Sequence, residues 1–349
     1  MNKRLNALAQ EVGFAEASWT DENSAKALKG YQLWIAENRH GPLDYLARNK
    51  HLRENPKQLL ETGGKGFVVV LLPLLWQEGS STTMAKGKGW IARYAQGRDY
   101  HKVMRKKLTR LLDLLRKEIS PTLNGRALVD SAPVLERDLA VQAGLGWIGK
   151  NGLLISKKWG SHLLIGSLLI DQSLTIDPPI SPSKNYCGTC RACLKHCPTQ
   201  CLDEHKGLNA SRCISTWSIE DDALPPASQI NEWGPHLFGC DICQDVCPWN
   251  RFALNDLTDH PLEFEEWKHQ VDVMEFITLL LNKPDIILSG SAMKRAGRRN
   301  LLRNALVICL EQKLPLPYNL IQQCRAQGND FSAVCDWYEE INAQMKAAP

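Results

Sequence analysis

Short apolar runs alternate with helix-like segments along the first half of the chain. The runs at 66–75 and 162–170 are almost wholly apolar, as in strands that are buried on both faces. A basic helix is predicted near 99–119, and a strand, a sharp turn and a helix are predicted over 125–155. The residues before the first run read as helices joined by a loop. Strands that alternate with helices predict an α/β layer.

The second half of the chain contains a cysteine-rich region followed by a helical tail. A stretch with three prolines at 176–186 has the composition of a linker, and a cysteine-rich region follows it. From about residue 260 the apolar spacing is helical to the end. The pattern predicts a mixed α+β and α/β protein of three parts, at 1–178, 179–258 and 259–349.

The composition is that of an ordinary globular protein, with 44% hydrophobic and 23% charged residues among 349. The longest apolar run is too short to span a bilayer and is broken by Pro73, and the N-terminus lacks an apolar signal segment. These features predict a cytoplasmic protein with no membrane partner. Because the net charge is only +4, a polyanion must be met by local basic patches.

Nine of the twelve cysteines lie between 187 and 247. Without a signal peptide, such a concentration favours metal or redox chemistry over disulfides. The run CGTCRACLKHCP at 187–198 matches the bacterial ferredoxin pattern C-x2-C-x2-C-x3-C-P, whose fourth cysteine ligates a second cluster. Zinc is the alternative, because C-x2-C pairs also bind zinc. Three cysteines at a strict three-residue spacing, with a fourth and a proline, favour iron–sulfur clusters.

The second set of cysteines, at 240–247, is one ligand short of a complete run. Cys213 is the candidate for the missing ligand, and Cys201 is the alternative. We prefer Cys213 because Cys201 lies only four residues after Cys197. Two ligands so close in sequence have little reach across one cluster. Two [4Fe-4S] clusters are therefore predicted, cluster one with Cys187, Cys190, Cys193 and Cys247, and cluster two with Cys197, Cys213, Cys240 and Cys243.

Asp130 is predicted to lie where a buried strand ends and a helix begins, an edge that faces the ligand crevice in α/β sheets. Among apolar neighbours its carboxyl group is expected to have a raised pKa and to donate a proton. The alternative is a helix cap. The glycine-rich turn at 144–154 permits close approach of a ligand to the backbone, or is simply a loop.

Two basic segments are candidates for contact with nucleic acid. The first, at 92–107, interleaves cations with tyrosines, which suits phosphate contact and base stacking, or is a solvated helix face. The second has no acidic residue among its cations, unlike an ordinary solvated helix face. It is predicted to contact the phosphate backbone through Lys294, Arg295, Arg298, Arg299 and Arg303.

Read in order, several segments of the chain resemble the epoxyqueuosine reductase family, cobalamin-dependent iron–sulfur enzymes that complete queuosine in tRNA. The matching stretches are HLRENPKQLL, RYAQGRDYHK, VDSAPVLERDLAVQAGLGWIGKNGLLI, CGTCRACLKHCPT, CISTWSIE and GCDICQDVCPWNRFA. The resemblance implies an α/β cobalamin-binding domain, a ferredoxin-like domain with two clusters, and a HEAT-like tail that helps to grip tRNA. It also implies the reaction, which is reduction of epoxyqueuosine to queuosine at the wobble position of the anticodon.

The resemblance assigns roles to individual residues. Asp130 matches the acid of the family. The candidates to line the corrin or the substrate pocket are Arg53, Tyr94, Asp130 and Arg137, with Asn151 and Ser215 as further candidates. The implied partners are tRNA and an external single-electron donor, and a monomer is expected. The alternatives are a cobalamin and iron–sulfur reductase of the dehalogenase type, and a ferredoxin-type or tRNA-binding module without chemistry of its own.

Overall fold

The computed structural model describes residues 2–21, 24–74, 79–175, 181–253 and 262–347. Its strands are β1 (Glu16–Thr20), β2 (Gly66–Pro73), β3 (Lys88–Ile91), β4 (Gly125–Leu128), β5 (Trp147–Ile148), β6 (Leu154–Ile155), β7 (Leu163–Ile170), β8 (Leu202–Asp203), β9 (Gly207–Leu208), β10 (His236–Phe238) and β11 (Val271–Asp272).

Helices make up most of the remaining regular structure. They are α1 (Asn2–Glu11), α2 (Ala25–Ala36), α3 (Asp44–Ala47), α4 (Lys50–Glu54), α5 (Tyr100–Glu118), α6 (Glu136–Gln142), α7 (Ala192–His196), α8 (Ile214–Ile219), α9 (Ala227–Trp233), α10 (Ile242–Asp245), α11 (Val273–Asn282), α12 (Pro284–Leu288), α13 (Gly297–Glu311), α14 (Tyr318–Arg325) and α15 (Asn329–Ala347). Short 3₁₀ helices lie at Pro56–Leu59, Ser81–Thr83, Arg93–Ala95, Ala210–Arg212, Pro248–Phe252, Glu266–Lys268 and Ala292–Arg295.

The principal sheet has the strand order β1-β2-β7-β4. Alternate residues of β2 enter two different cores, with Val68 and Val70 on one side and Val69 and Leu71 on the other. Both faces of β2 are therefore covered, which confirms the predicted buried strand and explains its unbroken apolar run. Residue 75, the last of that run, lies outside the described residues.

The sheet differs from the predicted α/β layer in the direction of its strands. Each of its three described strand pairs, β1 with β2, β2 with β7 and β4 with β7, is antiparallel. Alternation of strands and helices along the sequence does not fix strand direction, because a connecting helix returns the chain to either end of the sheet. The mixed composition of helix and strand is confirmed. Strand β1 also replaces part of the region that was expected to be helical.

A second sheet, with the order β10-β3-β11, joins the three predicted parts of the chain. Strand β3 pairs with β10 of the cysteine-rich region in parallel and with β11 of the helical tail in antiparallel fashion. One continuous core also runs from Leu5 to Ile341. The boundaries at 178 and 258 lie outside the described residues, so the division into three domains stays a prediction.

Helix α13 is the centre of the tail, and it packs against α9, α11, α15 and β10. All of its residues from Asn300 to Leu310 are buried. Among the described helices, none combines the length and the apolar character that crossing a bilayer requires.

Candidate active site and cluster sites

Asp130 lies between the end of β4 and the start of α6. Its backbone is left-handed, with φ of 51°, and its N–H donates to Oε1 of Glu136 at 2.7 Å. Helix α6 begins at Glu136 after Leu135, which makes no side-chain cap. Asp130 is therefore not a helix cap, and its side chain, 59% exposed, is available to a ligand.

A chain of hydrogen bonds joins Asp130 to the first turn of α5. Nε2 of His101 lies 3.1 Å from Oδ2 of Asp130, and Nδ1 of His101 lies 2.9 Å from Oδ1 of Asp99. Asp99 also caps α5 by accepting from the His101 N–H at 3.1 Å. The Tyr100 ring stacks on His101 with 4.0 Å between ring centroids. The imidazole is thus fixed between two carboxylates.

This arrangement changes the protonation expected for Asp130. Partial removal from water by the surrounding protein favours a raised pKa for Asp130, but the hydrogen bond and charge of His101 outweigh this effect and lower the pKa. The expectation of a raised Asp130 pKa is therefore wrong. For His101, burial opposes the charge, yet the hydrogen bonds from Asp130 and Asp99 raise its pKa. Both shifts favour a carboxylate on Asp130 beside an imidazolium on His101.

Glu136 has the raised carboxyl pKa that was expected of Asp130. Burial, followed by the negative charge of Asp130, raises the pKa of Glu136 to about 8. Sequence reasoning assigned no role to Glu136 and treated His101 only as part of a basic segment. The N-cap pattern at Asp99 was visible in the sequence, but the approach of α5 to the end of β4 was not.

One wall beside Asp130 comes from the tail and the cysteine-rich region. The Arg295 guanidinium pairs with Glu220 at 2.7 Å and lies 5.2 Å from the centroid of the Tyr45 ring. Burial, then the charges of Glu220 and Asp130, raise the pKa of Tyr45 to about 12. Arg295, predicted as a contact for nucleic acid, therefore lies at the candidate active site.

The predicted cofactor contacts divide into two groups. Tyr94 stands edge-on to Tyr100, with 5.8 Å between ring centroids, close to Asp130. Arg137 follows Glu136 and donates to the carbonyl of Gly152 in the glycine-rich turn. Arg53 is buried and donates to the carbonyl of Arg48 at 2.7 Å, and its charge reaches Tyr45.

Asn151 and Ser215 lie closer to the cysteines. Asn151 is buried, and its Nδ2 has no hydrogen-bond partner within the described parts of the chain. Ser215 is in the first turn of α8, immediately after Cys213. In the described residues, no hydrogen bond joins Ser215 to Asp130.

The four cysteines of cluster one share a cavity of about 270 Å³. Ile155, Pro248 and Trp249 complete its apolar wall. Its lining includes Cys187, Cys190, Cys193 and Cys247. Four convergent thiols in an apolar hollow fit the predicted iron–sulfur cluster.

Cluster two has five candidate thiols rather than four. Sγ of Cys201 lies 3.4 Å from Sγ of Cys197, and Cys201 also contacts Cys213. Cys240 and Cys243 interact with Cys213 from α10 and the turn before it. Cys201 is buried between two predicted ligands. The choice between Cys201 and Cys213 therefore stays a prediction.

The tail does not present the predicted basic surface as a whole. Arg303 is fully buried, and it donates to the carbonyls of Trp217, Asp221 and Ala223. The prediction that Arg303 contacts phosphate is wrong, because its charge anchors α13 to the loop after α8. Arg298 and Arg299 also donate to backbone carbonyls, whereas Lys294 is exposed.

Replacing Arg303 by Leu is expected to lower the free energy of unfolding by about 3 kcal/mol, because buried carbonyls lose their donors. Burial lowers the pKa of Arg303 to about 10, so the group stays charged at neutral pH. Chemical denaturation measures the change, with Lys294→Ala as the control expected within about 0.5 kcal/mol of the parent. Equal stabilities of the two variants would contradict the anchoring role.

Two family models match the chain. The model described as "Epoxyqueuosine reductase QueG, DUF1730" matches residues 53–131, and the model described as "4Fe-4S double cluster binding domain" matches residues 186–250. The first covers the candidate active site up to Ser131, and the second covers the cysteines of both predicted clusters. The second match supports iron–sulfur clusters over zinc.

Curated relatives cover most of the chain. The epoxyqueuosine reductase of Pseudomonas aeruginosa is 38% identical over 306 residues, which are 85% of this chain and 82% of that protein. The enzyme of Escherichia coli is 35% identical over 87% of this chain and 81% of its own length. The enzyme of Vibrio cholerae is 36% identical over 99% and 93%.

Solved structures share the fold. An epoxyqueuosine reductase from Streptococcus thermophilus aligns with a TM-score of 0.82 and 26% identity over 99% of this chain and 91% of that chain. An epoxyqueuosine reductase solved with an epoxyqueuosine-modified tRNA-Tyr stem loop aligns with a TM-score of 0.82 and 22% identity, over 97% and 89%.

Proposed function

The chain belongs to the epoxyqueuosine reductase family and is an oxidoreductase that reduces epoxyqueuosine in tRNA, and we propose that Asp130 delivers a proton to the epoxide oxygen as that oxygen leaves carbon. The observation that carries this proposal is the hydrogen-bonded chain from Asp99 through His101 to Asp130. It places a mobile proton at an exposed carboxylate beside a wall of polar side chains.

The reaction converts an epoxide to an alkene and water, and it consumes two electrons and two protons. In an Asp130 carboxylate beside a His101 imidazolium, the proton lies on His101 and reaches the epoxide oxygen through the Asp130 carboxylate, 3.1 Å away. The imidazole is then reprotonated from solvent and supplies the second proton by the same route. Asp99 holds the opposite ring nitrogen, which fixes the imidazole orientation during the transfer.

Two [4Fe-4S] clusters held by the predicted cysteine ligands would supply electrons one at a time. A bound cobalamin would supply the cobalt-centred redox chemistry that opens the carbon–oxygen bond. The chain fits such a cofactor at Asn151. Its buried Nδ2 has no hydrogen-bond partner in the described residues and could donate to an acceptor of the kind that a corrin amide provides. Arg53, Tyr94 and Arg137 belong to the other group of predicted contacts and would hold another part of its periphery.

The substrate is proposed to enter as the wobble nucleoside of a tRNA anticodon. Arg295 lies at the wall beside Asp130, where a phosphate of the anticodon loop would pass, and the neighbouring Lys294 is exposed. The tail is proposed to be HEAT-like and to hold the tRNA. A monomer in the cytoplasm, supplied by an external single-electron carrier, is the proposed working form.

Anaerobic reconstitution tests the cofactor set. The loaded protein is expected to contain about eight iron atoms and one cobalt per chain and to convert an epoxyqueuosine-modified stem loop. If the protein takes up iron but no cobalt and converts no substrate, the chain acts only as an electron carrier. Iron without cobalt but with conversion would remove cobalamin from the proposal and leave the reaction.

The pH dependence of turnover should report on His101. Because the Asp130 and Asp99 carboxylates raise its pKa, wild-type turnover is expected to hold below that pKa and to fall as pH rises through it. His101→Asn should lose this alkaline limb and turn over about 10- to 100-fold more slowly. Lys102→Ala, one residue along α5, is the control and should keep the wild-type profile. An unchanged limb in His101→Asn would remove His101 from the proton path.

A further inference from the structure

Cluster one includes the exposed member of the eight predicted cysteine ligands. Cys190 is exposed, and Cys187 is partly exposed. Between them Gly188 has φ of 50°, and a Cβ built on it would have no atom within 4 Å, so the backbone over the cavity is bare. The four predicted ligands of cluster two are each partly exposed, and Cys201 beside them is buried.

Basic side chains surround this exposed cavity. The Lys157 ammonium lies 3.9 Å from the centroid of the Tyr186 ring, next to Cys187. Arg191 follows Cys190 with a side chain that is 58% exposed, and Lys195 and Lys184 are exposed as well. From 145 to 200 the sequence contains six Lys or Arg residues against two Asp.

The described acidic side chain at this site is already paired. Glu204 lies 2.7 Å from Nζ of Lys150 and 3.4 Å from Nε of Arg191. Lys150 in turn donates to the carbonyls of Gly188 and Cys190 at 2.9 and 3.0 Å, which fixes the loop over the cavity. In the described chain, no carboxylate lies within salt-bridge distance of Lys157, Lys184 or Lys195, so no ion pair neutralises their charge.

We propose that this basic rim around cluster one is the docking face of the external electron donor, and that the donor is an acidic protein carrying a one-electron cofactor. Each encounter transfers one electron from the reduced carrier to cluster one, and the oxidised carrier leaves. Two encounters supply one epoxide reduction. Electrostatic attraction aligns the carrier over the exposed ligands, where the transfer distance is shortest. The inference rests on the proposed electron path, and it adds where that path begins.

An anionic RNA would also be attracted to this rim. The substrate nucleoside, however, must reach Asp130, whose wall is formed by Tyr45, Glu220 and Arg295 rather than by the rim residues. The exposed thiol ligand is a feature that electron transfer uses and phosphate binding does not. The carrier is therefore the occupant that we argue for.

The experiment compares two double variants of the cluster-loaded protein with equal changes of charge. Lys157→Glu with Lys195→Glu alters the rim, and Lys117→Glu with Lys346→Glu alters exposed lysines elsewhere. Stopped-flow absorbance follows cluster reduction by a reduced flavodoxin and, separately, by reduced methyl viologen, a small cation. Iron content confirms that the clusters are retained, and Lys157→Glu alone serves if Lys195→Glu disturbs them.

The rim variant is expected to lower the second-order rate constant with flavodoxin about tenfold or more at low salt, and the difference should vanish at high salt. Its reduction by methyl viologen should not slow, and the control should match wild type with both reductants. An unchanged flavodoxin rate in the rim variant would overturn the proposal. So would a loss of stem-loop affinity at constant flavodoxin rate, which would assign the rim to RNA.

Failure of the docking face and failure of the proposed reaction give different results. Salt-dependent cluster reduction with no conversion of epoxyqueuosine by the wild type would leave the docking face standing and remove the proposed reaction. Normal conversion with chemical reductants, together with flavodoxin kinetics that the rim substitutions do not change, would remove the docking face and leave the proposed reaction.

Discussion

Asp130→Asn is expected to lower turnover of epoxyqueuosine in a tRNA stem loop by about 10²- to 10⁴-fold, the range for loss of a general acid. The amide keeps the size of the side chain and still hydrogen-bonds to His101, but it carries no transferable proton. Asparagine tolerates the left-handed backbone of this position, so the fold should be unchanged. Nucleoside mass spectrometry under single-turnover conditions measures the loss.

The matched control for this substitution is Asp113→Asn. Its side chain is 58% exposed, against 59% for Asp130, and it pairs with Arg116 on the outer face of α5. The control should turn over like wild type, and both variants should retain iron and cobalt. If Asp130→Asn keeps turnover within a few-fold of the control, the proton comes from another group, and Glu136 with its raised pKa is the first to test.

Cys213→Ala is expected to lower the iron content from about eight atoms per chain towards about four, whereas Cys201→Ala should keep about eight. Ligands of one cubane bind different irons and must spread to separate corners. The Cys197 and Cys201 thiols, 3.4 Å apart on a short loop, are too close to do so. Cys213 approaches from the N-terminus of α8 and interacts with Cys240 and Cys243.

Iron analysis and electron paramagnetic resonance of the reduced proteins measure this difference. Wild type should show two interacting clusters, and Cys213→Ala should lose the interaction. Cys309→Ala, a buried cysteine on α13 outside the cluster region, is the control for the loss of a thiol. The reverse pattern, with iron lost from Cys201→Ala and kept in Cys213→Ala, would assign the ligand to Cys201.

The sequence predicted best where local spacing determines chemistry. The intervals in CGTCRACLKHCP indicated a cubane, and Cys187 and Cys247 line one cavity, which the predicted exchange of ligands between the two runs requires. The ligand assignment itself stays a prediction. The apolar run of β2 likewise predicted a strand, since burial on both faces requires an unbroken apolar segment.

Prediction was poorer where contacts link distant parts of the chain. His101 meets Asp130 only because α5 packs beside β4, and that contact reversed the expected direction of the Asp130 pKa. Arg303 looked like a surface cation because its neighbours are basic, yet its partners are carbonyls about 80 residues earlier. Strand direction in the principal sheet also depends on long-range pairing, which no local pattern records.

Analysis of tRNA nucleosides from a strain that lacks this gene tests the central claim most directly. The account predicts that epoxyqueuosine accumulates, that queuosine disappears, and that the wild-type gene restores queuosine while the Asp130→Asn gene does not. Normal queuosine in that strain, with no accumulated epoxyqueuosine and no second gene for the same step, would contradict it.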